Sequence, residues 1–364
     1  MGAQGLVYTV RDRSILLPFY KRLFVEPVLP MIPRKVDPNS ITHAGHVINL
    51  VGMVLLLAAT ASGAKNGWPF LVTALCLHAY NWCDNADGAH ARRVNRCSAL
   101  GELLDHGLDM LNVTYIAYTS AMAIGAPPLW WAGIATLVPL ACSTTYWEQA
   151  ETDLFSLGLL NQIESVMMLS VVMGISGVFG TEIFDRFHVG AITLRHVIMV
   201  FVIGTTLVGI SRNIIRVTGR IGPKALGRIA PIVLFDAVVF LAASAGAMSP
   251  VAAVIIATAG NVFFGLRCLA VRTSGERPRV ERGLLFGAAL IGGLVVWKLA
   301  AQPVGPRSDT VASAVASIFF GFLALANARE AHRAVAILDG RKASAAAPAP
   351  APTRRARADA DVDA

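Results

Sequence analysis

The stretch DNADGAHARRVNRCSALGELLDHGLD, residues 84–109, carries one spaced set of polar and small residues in a chain that is otherwise largely apolar. Its polar and small residues recur at fixed intervals: Asp84-x-x-Asp87-Gly88-x-x-Ala91-Arg92, then eight residues, then Gly101-x-x-x-Asp105-x-x-x-Asp109. On a helix, residues three or four positions apart are neighbours, so each group of carboxylates shares one face. An antiparallel pair of helices would therefore bring the four carboxylates together.

The four carboxylates lie beside apolar runs, where acidic side chains are costly and usually functional. Divalent cations would stabilise such a cluster, and ligands that are all oxygen favour Mg²⁺, Mn²⁺ or Ca²⁺. The alternative is that these Asp residues form salt bridges with Arg92, Arg93 and Arg96. Agreement at eight spaced positions, each with a background frequency of about 5–10%, argues against chance.

The composition predicts an all-α integral membrane protein. Of 364 residues, 55% are hydrophobic and 15% charged, whereas soluble domains carry roughly 25% charge. Apolar runs of about 20 residues predict membrane-spanning helices, and ten are found, at 43–63, 67–85, 99–124, 127–148, 161–180, 194–215, 229–248, 250–270, 283–301 and 309–330. Scattered cysteines without a Cys-x-x-Cys pair predict neither a disulfide framework nor a zinc site. No nucleic-acid partner is expected.

The distribution of basic residues predicts the topology. They concentrate in the N-terminal segment, after the second, sixth and eighth spans, and in the tail, which favours a cytosolic location for both termini and for the Asp residues. The loop after the fourth span is acidic, but acidic residues contribute little to topology. The predicted organisation is an N-terminal segment (1–36) with an interfacial amphipathic helix, a catalytic core (37–220), C-terminal spans (221–335) and a disordered tail (336–364).

Residues 84–109 resemble the signature of the CDP-alcohol phosphotransferase family at every defining position. The family transfers a phospho-alcohol from a CDP-linked donor to a hydroxyl acceptor and releases CMP. The resemblance implies a core of six membrane helices that binds two divalent metals, expected to be Mg²⁺ or Mn²⁺. It implies metal ligands at Asp84, Asp87, Asp105 and Asp109, of which Asp109 is also a candidate base, and a CDP-binding edge at Asn39, Gly88, Ala91, Arg92 and Gly101.

Residues 101–109 resemble the choline/ethanolamine phosphotransferase branch, whose substrates are CDP-choline or CDP-ethanolamine and diacylglycerol. Branches that use CDP-diacylglycerol usually have Pro where this chain has His106 and Lys where it has Met110. The pattern Pro38-Asn39-Ser40-Ile41-Thr42 also resembles the aminoalcohol branch, which would place Asn39 near the donor phosphates. Alternatively, Asn39 caps the first membrane helix.

Three further ionisable residues are candidates for function. His106 is predicted to be a general base, because imidazole accepts a proton near neutral pH; the alternative is a solvated interfacial histidine. Glu164 resembles an acidic position of the same branch and is predicted to pair with His106 or assist its proton transfer; the alternative is a helix-start carboxylate. Asp236 lies inside the seventh span, where it is either functional or paired with a polar neighbour.

The sequence therefore predicts a membrane enzyme that makes phospholipid from CDP-ethanolamine or CDP-choline and diacylglycerol. The resemblance implies a homodimer, and the Ala/Arg-rich composition favours a bacterial inner membrane over the endoplasmic reticulum. One alternative is transfer of a phosphatidyl group from CDP-diacylglycerol to a small alcohol. Another is a divalent-ion carrier, against which the cytosolic position of the cluster and the lack of an inverted repeat argue.

Overall fold

The computed structural model describes residues 9–158, 161–274, 278–300 and 321–336. The helices are α1 (Leu17–Tyr20), α2 (Pro38–Ala61), α3 (Trp68–Arg93), α4 (Ala99–Ala123), α5 (Pro128–Thr152), α6 (Gln162–Phe179), α7 (Ile183–Arg186), α8 (Leu194–Ile221), α9 (Leu226–Ser244), α10 (Pro250–Ser274), α11 (Arg282–Ala300) and α12 (321–336). The strands are β1 (Thr9–Arg11), β2 (Leu154–Ser156), β3 (His188–Val189) and β4 (Ile192–Thr193). The pair β1–β2 is parallel and the pair β3–β4 is antiparallel.

The prediction of an all-α membrane protein is confirmed. Within the described residues, six helices are long and apolar enough to cross a membrane: α2, α6, α8, α9, α10 and α11. The predicted spans two, three and four coincide with the long helices α3, α4 and α5, although their polar residues lower their hydropathy. The tenth predicted span, 309–330, begins among residues outside the described ranges. The second helix was predicted to end at residue 85 but continues to Arg93, so the whole Asp84–Arg92 motif is helical.

The predicted amphipathic helix in the N-terminal segment is shorter than expected. Helical conformation there covers α1, a π-helical turn at Lys21–Val25 and a 3-10 turn at Leu29–Met31. Prolines at positions 27, 30 and 33 interrupt it, because proline lacks the backbone N–H and disfavours helix in the preceding residue. The short helical part is amphipathic: Tyr20 and Val25 are buried, whereas other apolar side chains are exposed, namely Phe19, Leu23 and Phe24.

Helix α2 packs against both α3 and α4. Two glycines allow its close approach to α3: a Cβ at Gly45 would lie 2.7 Å from Cys83 Cβ, and one at Gly52 would lie 2.8 Å from Cys76 Cβ. A buried hydrogen bond, 3.1 Å from Asn49 Nδ2 to Asn112 Oδ1, joins α2 to α4. Helix α2 therefore links α3 and α4, the two helices that were predicted to pack antiparallel.

The acidic end of α5 forms ion pairs with basic residues of later helices. Arg216 on α8 donates from Nη2 to Glu148 Oε2 across 2.7 Å, and Arg228 on α9 donates to Glu151 Oε2 across 2.8 Å. These pairs explain why the loop after the fourth span departs from the basic pattern. Helix α10 also packs against α4 and α5, so the C-terminal helices belong to the same packed bundle as the predicted core. The domain division itself stays a prediction.

Candidate metal centre

The acidic motif is carried by the last three turns of α3 and the first three turns of α4. Ser98 caps α4 by accepting a hydrogen bond from the Gly101 N–H across 3.0 Å. This cap fixes where α4 begins and therefore which of its residues share a face. Asp105 and Asp109, four residues apart, lie on the same face of α4.

Three of the four carboxylates meet. One carboxylate oxygen from each of Asp84, Asp105 and Asp109 lies within 4.8 Å of the other two, and all three residues are half-buried. These three residues are called the Asp trio below. Carboxylate oxygens at this spacing suit a hard divalent cation, because such an ion neutralises charges that would otherwise repel each other. The predicted convergence of α3 and α4 carboxylates is thus present for the trio.

Asp87 lies outside the trio. It is 4% exposed, and its Oδ2 accepts a 2.5 Å hydrogen bond from Thr42 Oγ1 on α2. The Gly88 N–H donates to its other oxygen. A metal-ligand role for Asp87 stays a prediction. Thr42 was quoted in the Pro-Asn-x-Ile-Thr pattern, but nothing in the sequence assigned it to this carboxylate.

Two polar residues that no sequence motif predicted contact the trio. Tyr80 donates from its hydroxyl to Asp109 Oδ1 across 3.1 Å. Gln162, the first residue of α6, donates from Nε2 to Asp84 Oδ2 across 3.1 Å and to the Tyr80 hydroxyl oxygen across 3.2 Å. Tyr80 carries no sequence signal, because an aromatic residue inside an apolar run is usually packing.

The salt-bridge alternative for the motif is wrong among the described residues. Arg93 donates to backbone carbonyls of the N-terminal segment, including that of Ile32 across 3.0 Å. No ion pair joins Arg92, Arg93 or Arg96 to the four Asp residues within the described ranges. Arg92 is exposed, and its Nη1 lies 3.4 Å from the position that a Cβ on Gly88 would take. Its guanidinium thus lies over the helix backbone at the predicted CDP edge.

Asn39 and Gly101, both predicted at the CDP edge, are neighbours. A Cβ on Gly101 would lie 3.2 Å from both Asn39 Oδ1 and Ser98 Oγ, so the glycine allows α2 and α4 to approach closely. The capping alternative for Asn39 is wrong, because Asp37 caps α2 by accepting a 3.0 Å hydrogen bond from the Asn39 N–H. Ala91 is half-buried on α3, one turn after Asp87.

His106 is buried in an aromatic environment. Its ring stacks on Phe155 with a centroid distance of 5.5 Å and an interplanar angle of 12°, and lies 5.5 Å from the Tyr146 ring. The alternative of a solvated histidine is therefore wrong. The imidazole faces α5 and β2 rather than joining the Asp trio, and its Nδ1 has no hydrogen-bond partner among the described residues. Its role as a general base stays a prediction.

Glu164 stabilises the start of α6 and holds the N-terminal segment. Its Oε1 accepts hydrogen bonds from Ser14 Oγ across 2.6 Å and from the Ile15 N–H across 2.9 Å. Its Oε2 accepts from the Asn161 N–H across 3.2 Å, which completes a capping box. No hydrogen bond joins Glu164 to His106 in the part of the chain described, so the expected pairing is not formed and the helix-start alternative fits the contacts.

Asp236 belongs to a separate buried network. Its Oδ2 accepts a 2.8 Å hydrogen bond from Asn261 Nδ2, and Ser143 Oγ donates to Asn261 Oδ1 across 2.7 Å. These residues join α9, α10 and α5. Asp236 is thus paired with a polar neighbour, as the alternative to a functional role predicted, and it lies outside the Asp trio.

An apolar groove of about 650 Å³ runs beside α3, between the N-terminal helical segment and α6. Its lining residues are Tyr20, Phe24, Val28, His78, Ala79, Trp82 and Met167. The groove adjoins the acidic site at Tyr20. Burial raises the pKa of the Tyr20 hydroxyl, a hydrogen bond with Asn81 lowers it in part, and the nearby carboxylate of Asp84 raises it. Tyr20 thus both lines the groove and interacts electrostatically with Asp84.

The part of the chain that carries the Asp trio is similar to a known protein family. Residues 35–173, which include the whole acidic motif, match the family model described as CDP-alcohol phosphatidyltransferase. The match confirms the resemblance drawn from residues 84–109.

Curated relatives agree with the match. Cholinephosphotransferase 1 of Homo sapiens is 32% identical over 182 residues, covering 49% of this chain and 45% of that protein. The protein of the same name from Danio rerio is 31% identical over 180 residues, covering 47% and 46%. An uncharacterized CDP-alcohol phosphatidyltransferase class-I family protein of Dictyostelium discoideum is 28% identical over 222 residues, covering 58% and 53%. The chain thus spans about half the length of the curated relatives it matches. These three are eukaryotic, and they lend no support to the predicted bacterial inner membrane.

Proposed function

From the match of residues 35–173 to the CDP-alcohol phosphatidyltransferase family model, we propose that the chain is a membrane-bound phosphotransferase of this family. It transfers phosphoethanolamine or phosphocholine from the CDP-alcohol to diacylglycerol and releases CMP. The observation that carries this proposal is the Asp trio, whose oxygens lie within 4.8 Å of one another inside the matched domain. The similarity to cholinephosphotransferases supports the choice of head group and acceptor.

The donor set of the trio fits Mg²⁺ or Mn²⁺, since it consists of carboxylate oxygens from two helices at the spacing of ligands to one ion. Asp84, Asp105 and Asp109 would hold the first ion, and Asp87 is proposed to contribute to a second. When bound, such ions neutralise the pyrophosphate and polarise the reacting phosphorus.

The residues around the trio suit a CDP-linked donor. Arg92 is exposed beside Gly88 and offers a planar fork of N–H donors for a phosphate. Ala91 lies on the same helix. Asn39 faces Gly101, where the missing side chain brings polar groups of α2 and α4 together. The CDP moiety is proposed to lie along this edge, with its phosphates toward the carboxylates.

In the proposed reaction the acceptor hydroxyl oxygen attacks the donor phosphorus nearest the alcohol. The bond between this phosphorus and the bridging oxygen breaks, and CMP leaves with that oxygen. The hydroxyl proton passes to Asp109 or to His106. Asp109 has the more direct position, since it belongs to the trio, whereas the His106 ring is packed against Phe155 and Tyr146.

The apolar groove beside Tyr20 is a suitable entrance for the lipid acceptor. Its lining is apolar over most of its length, and at Tyr20 it comes near Asp84. Diacylglycerol is an apolar lipid with one free hydroxyl, so it would enter sideways from the bilayer while the water-soluble donor arrives from the cytosolic side. The acidic site is proposed to face the cytosol, and the enzyme to be a homodimer.

The test is a reconstitution of the purified full chain with labelled CDP-ethanolamine or CDP-choline, diacylglycerol and Mg²⁺ or Mn²⁺. We expect labelled phospholipid and an equal amount of CMP, both lost in Asp105→Asn. Product formed only from CDP-diacylglycerol and a labelled small alcohol would favour the alternative donor. Mn²⁺ flux into liposomes without CMP release would favour a carrier. If no labelled lipid forms under the first condition, the proposed donor and acceptor are rejected.

A further inference from the structure

Tyr80 and Gln162 connect two members of the Asp trio that come from different helices. The Tyr80 hydroxyl donates to Asp109 on α4, while the Gln162 amide donates to Asp84 on α3 and to the Tyr80 oxygen. Each N–H of the amide and the one O–H of the phenol therefore has an acceptor. The three hydrogen bonds form a continuous link from Asp84 through Gln162 and Tyr80 to Asp109.

The backbone of Gln162 is fixed by hydrogen bonds of residues on either side of it in the sequence. It follows the N-cap Asn161, whose side chain accepts a 3.2 Å hydrogen bond from the Ile163 N–H. Glu164 closes the same turn and also binds Ser14 and the backbone of the N-terminal segment. A glutamine on an exposed, flexible turn could sample many rotamers, whereas this capped turn restricts its backbone.

Tyr80 is restricted by packing. It is 3% exposed and belongs to an apolar cluster with Leu77 and Phe70 on α3 and Val166 on α6. Its ring is therefore fixed by neighbours, and only its hydroxyl interacts with Asp109. Replacement by Phe would preserve the packed ring and remove one donor.

We propose that Tyr80 and Gln162 are positioning residues that orient Asp84 and Asp109 and thereby set the affinity of the trio for a divalent cation. The proposal rests on the metal site of the proposed function. Groups that donate hydrogen bonds to metal-ligating carboxylates fix the direction of the remaining lone pairs, and their loss commonly weakens metal binding 10–100-fold. Glu164 contributes indirectly, because its capping-box hydrogen bond stabilises the first turn of α6, which carries Gln162.

The experiment measures Mn²⁺ binding to the full chain in detergent, without substrates, by loss of the free-ion paramagnetic resonance signal. The variants are Tyr80→Phe and Gln162→Met, which conserve the approximate size of each side chain. Tyr118→Phe is the matched control, since Tyr118 contacts Trp131 and does not touch the trio. We expect the Mn²⁺ dissociation constant to rise about 10–100-fold in both variants and to stay unchanged in the control.

Two further measurements distinguish a loss of carboxylate positioning from a general loss of protein stability. The metal-free thermal transition of Gln162→Met should match that of the unmodified chain, and saturating Mn²⁺ should restore most of its kcat. Unchanged Mn²⁺ affinity in both variants would overturn the positioning role while leaving the metal site intact. Failure of the unmodified chain to bind Mn²⁺ would overturn both this inference and the proposed metal chemistry.

Discussion

Ser14 Oγ donates a 2.6 Å hydrogen bond to Glu164 Oε1, which joins residues 150 positions apart in the sequence. The same carboxylate accepts from the backbone of Ile15 and Leu16, and strand β1 pairs with β2 nearby. Trp82 Nε1 also donates to the Phe24 carbonyl across 2.9 Å. The N-terminal segment is therefore fastened to α3, β2 and α6 around the acidic site.

Replacement Glu164→Ala should release this segment. The change removes the acceptor for three donors of residues 14–16 and half of the capping box. Loss of a helix cap typically costs about 0.5–2 kcal/mol. We expect faster tryptic cleavage at Arg11 and Arg13, measured by mass spectrometry, and lower activity. Glu26→Ala is the control, because Glu26 is exposed. Equal protection of Glu164→Ala and the unmodified chain would contradict this role.

Each member of the Asp trio should be required for turnover. Asp84→Asn, Asp105→Asn and Asp109→Asn each remove a negative charge from the proposed ligand set. Loss of a group that only hydrogen-bonds to a metal ligand commonly lowers metal affinity or activity about 10–100-fold. For loss of a ligand itself we therefore expect turnover to fall at least about 100-fold and Mn²⁺ binding to weaken in parallel. Asp153→Asn is the control, since this exposed residue has a φ of 53°, which Asn tolerates. Retention of full turnover by any trio variant would exclude that residue as an essential ligand.

Gly101→Ala should impair donor binding. The added Cβ would lie 3.2 Å from Asn39 Oδ1 and from Ser98 Oγ, so the contact between the first turns of α2 and α4 must open. We expect a KM for the CDP-alcohol raised several-fold, measured at saturating acceptor. The matched control is Gly174→Ala within α6, where a Cβ meets nothing within 4 Å. That change should leave KM unaltered and slightly stabilise the helix. An unchanged KM in Gly101→Ala would show that the CDP-alcohol does not bind beside the contact between Asn39 and Gly101.

The buried Glu148–Arg216 pair should be sensitive to loss of the arginine. Glu148 has 0% side-chain exposure and Arg216 33%, so Arg216→Met leaves an unpaired buried carboxylate. Breaking such a pair costs 3–5 kcal/mol, and partial exposure of the arginine favours a value of about 3 kcal/mol. A double variant with Glu148→Met should recover stability in detergent thermal denaturation.

The control for this pair lies on the opposite end of the bundle. Lys65→Met breaks the Lys65–Glu182 pair, whose side chains are 65% and 60% exposed. Exposed pairs contribute little because solvent screens them, so no measurable shift in the transition is expected. If Arg216→Met and Lys65→Met shift the transition equally, the Glu148 pair has no special role in stability.

Local sequence information was sufficient for much of this protein. Apolar run lengths predicted the long helices, because backbone groups in a bilayer must be satisfied within the segment. The four-residue spacing of Asp105 and Asp109 predicted that they share one face of α4, because helical periodicity is a local property. Local proline positions also account for the interruption of the predicted N-terminal amphipathic helix.

Only the packed structure decided the partners of these side chains. Thr42 on α2 donates a hydrogen bond to Asp87, and Phe155 on β2 stacks on the ring of His106. The roles of Tyr80, Gln162 and Glu164 likewise depend on contacts between α3, α4, α6 and the N-terminal segment. Periodicity determines which face of a helix a residue occupies, whereas the partner on that face depends on how helices distant in sequence approach one another.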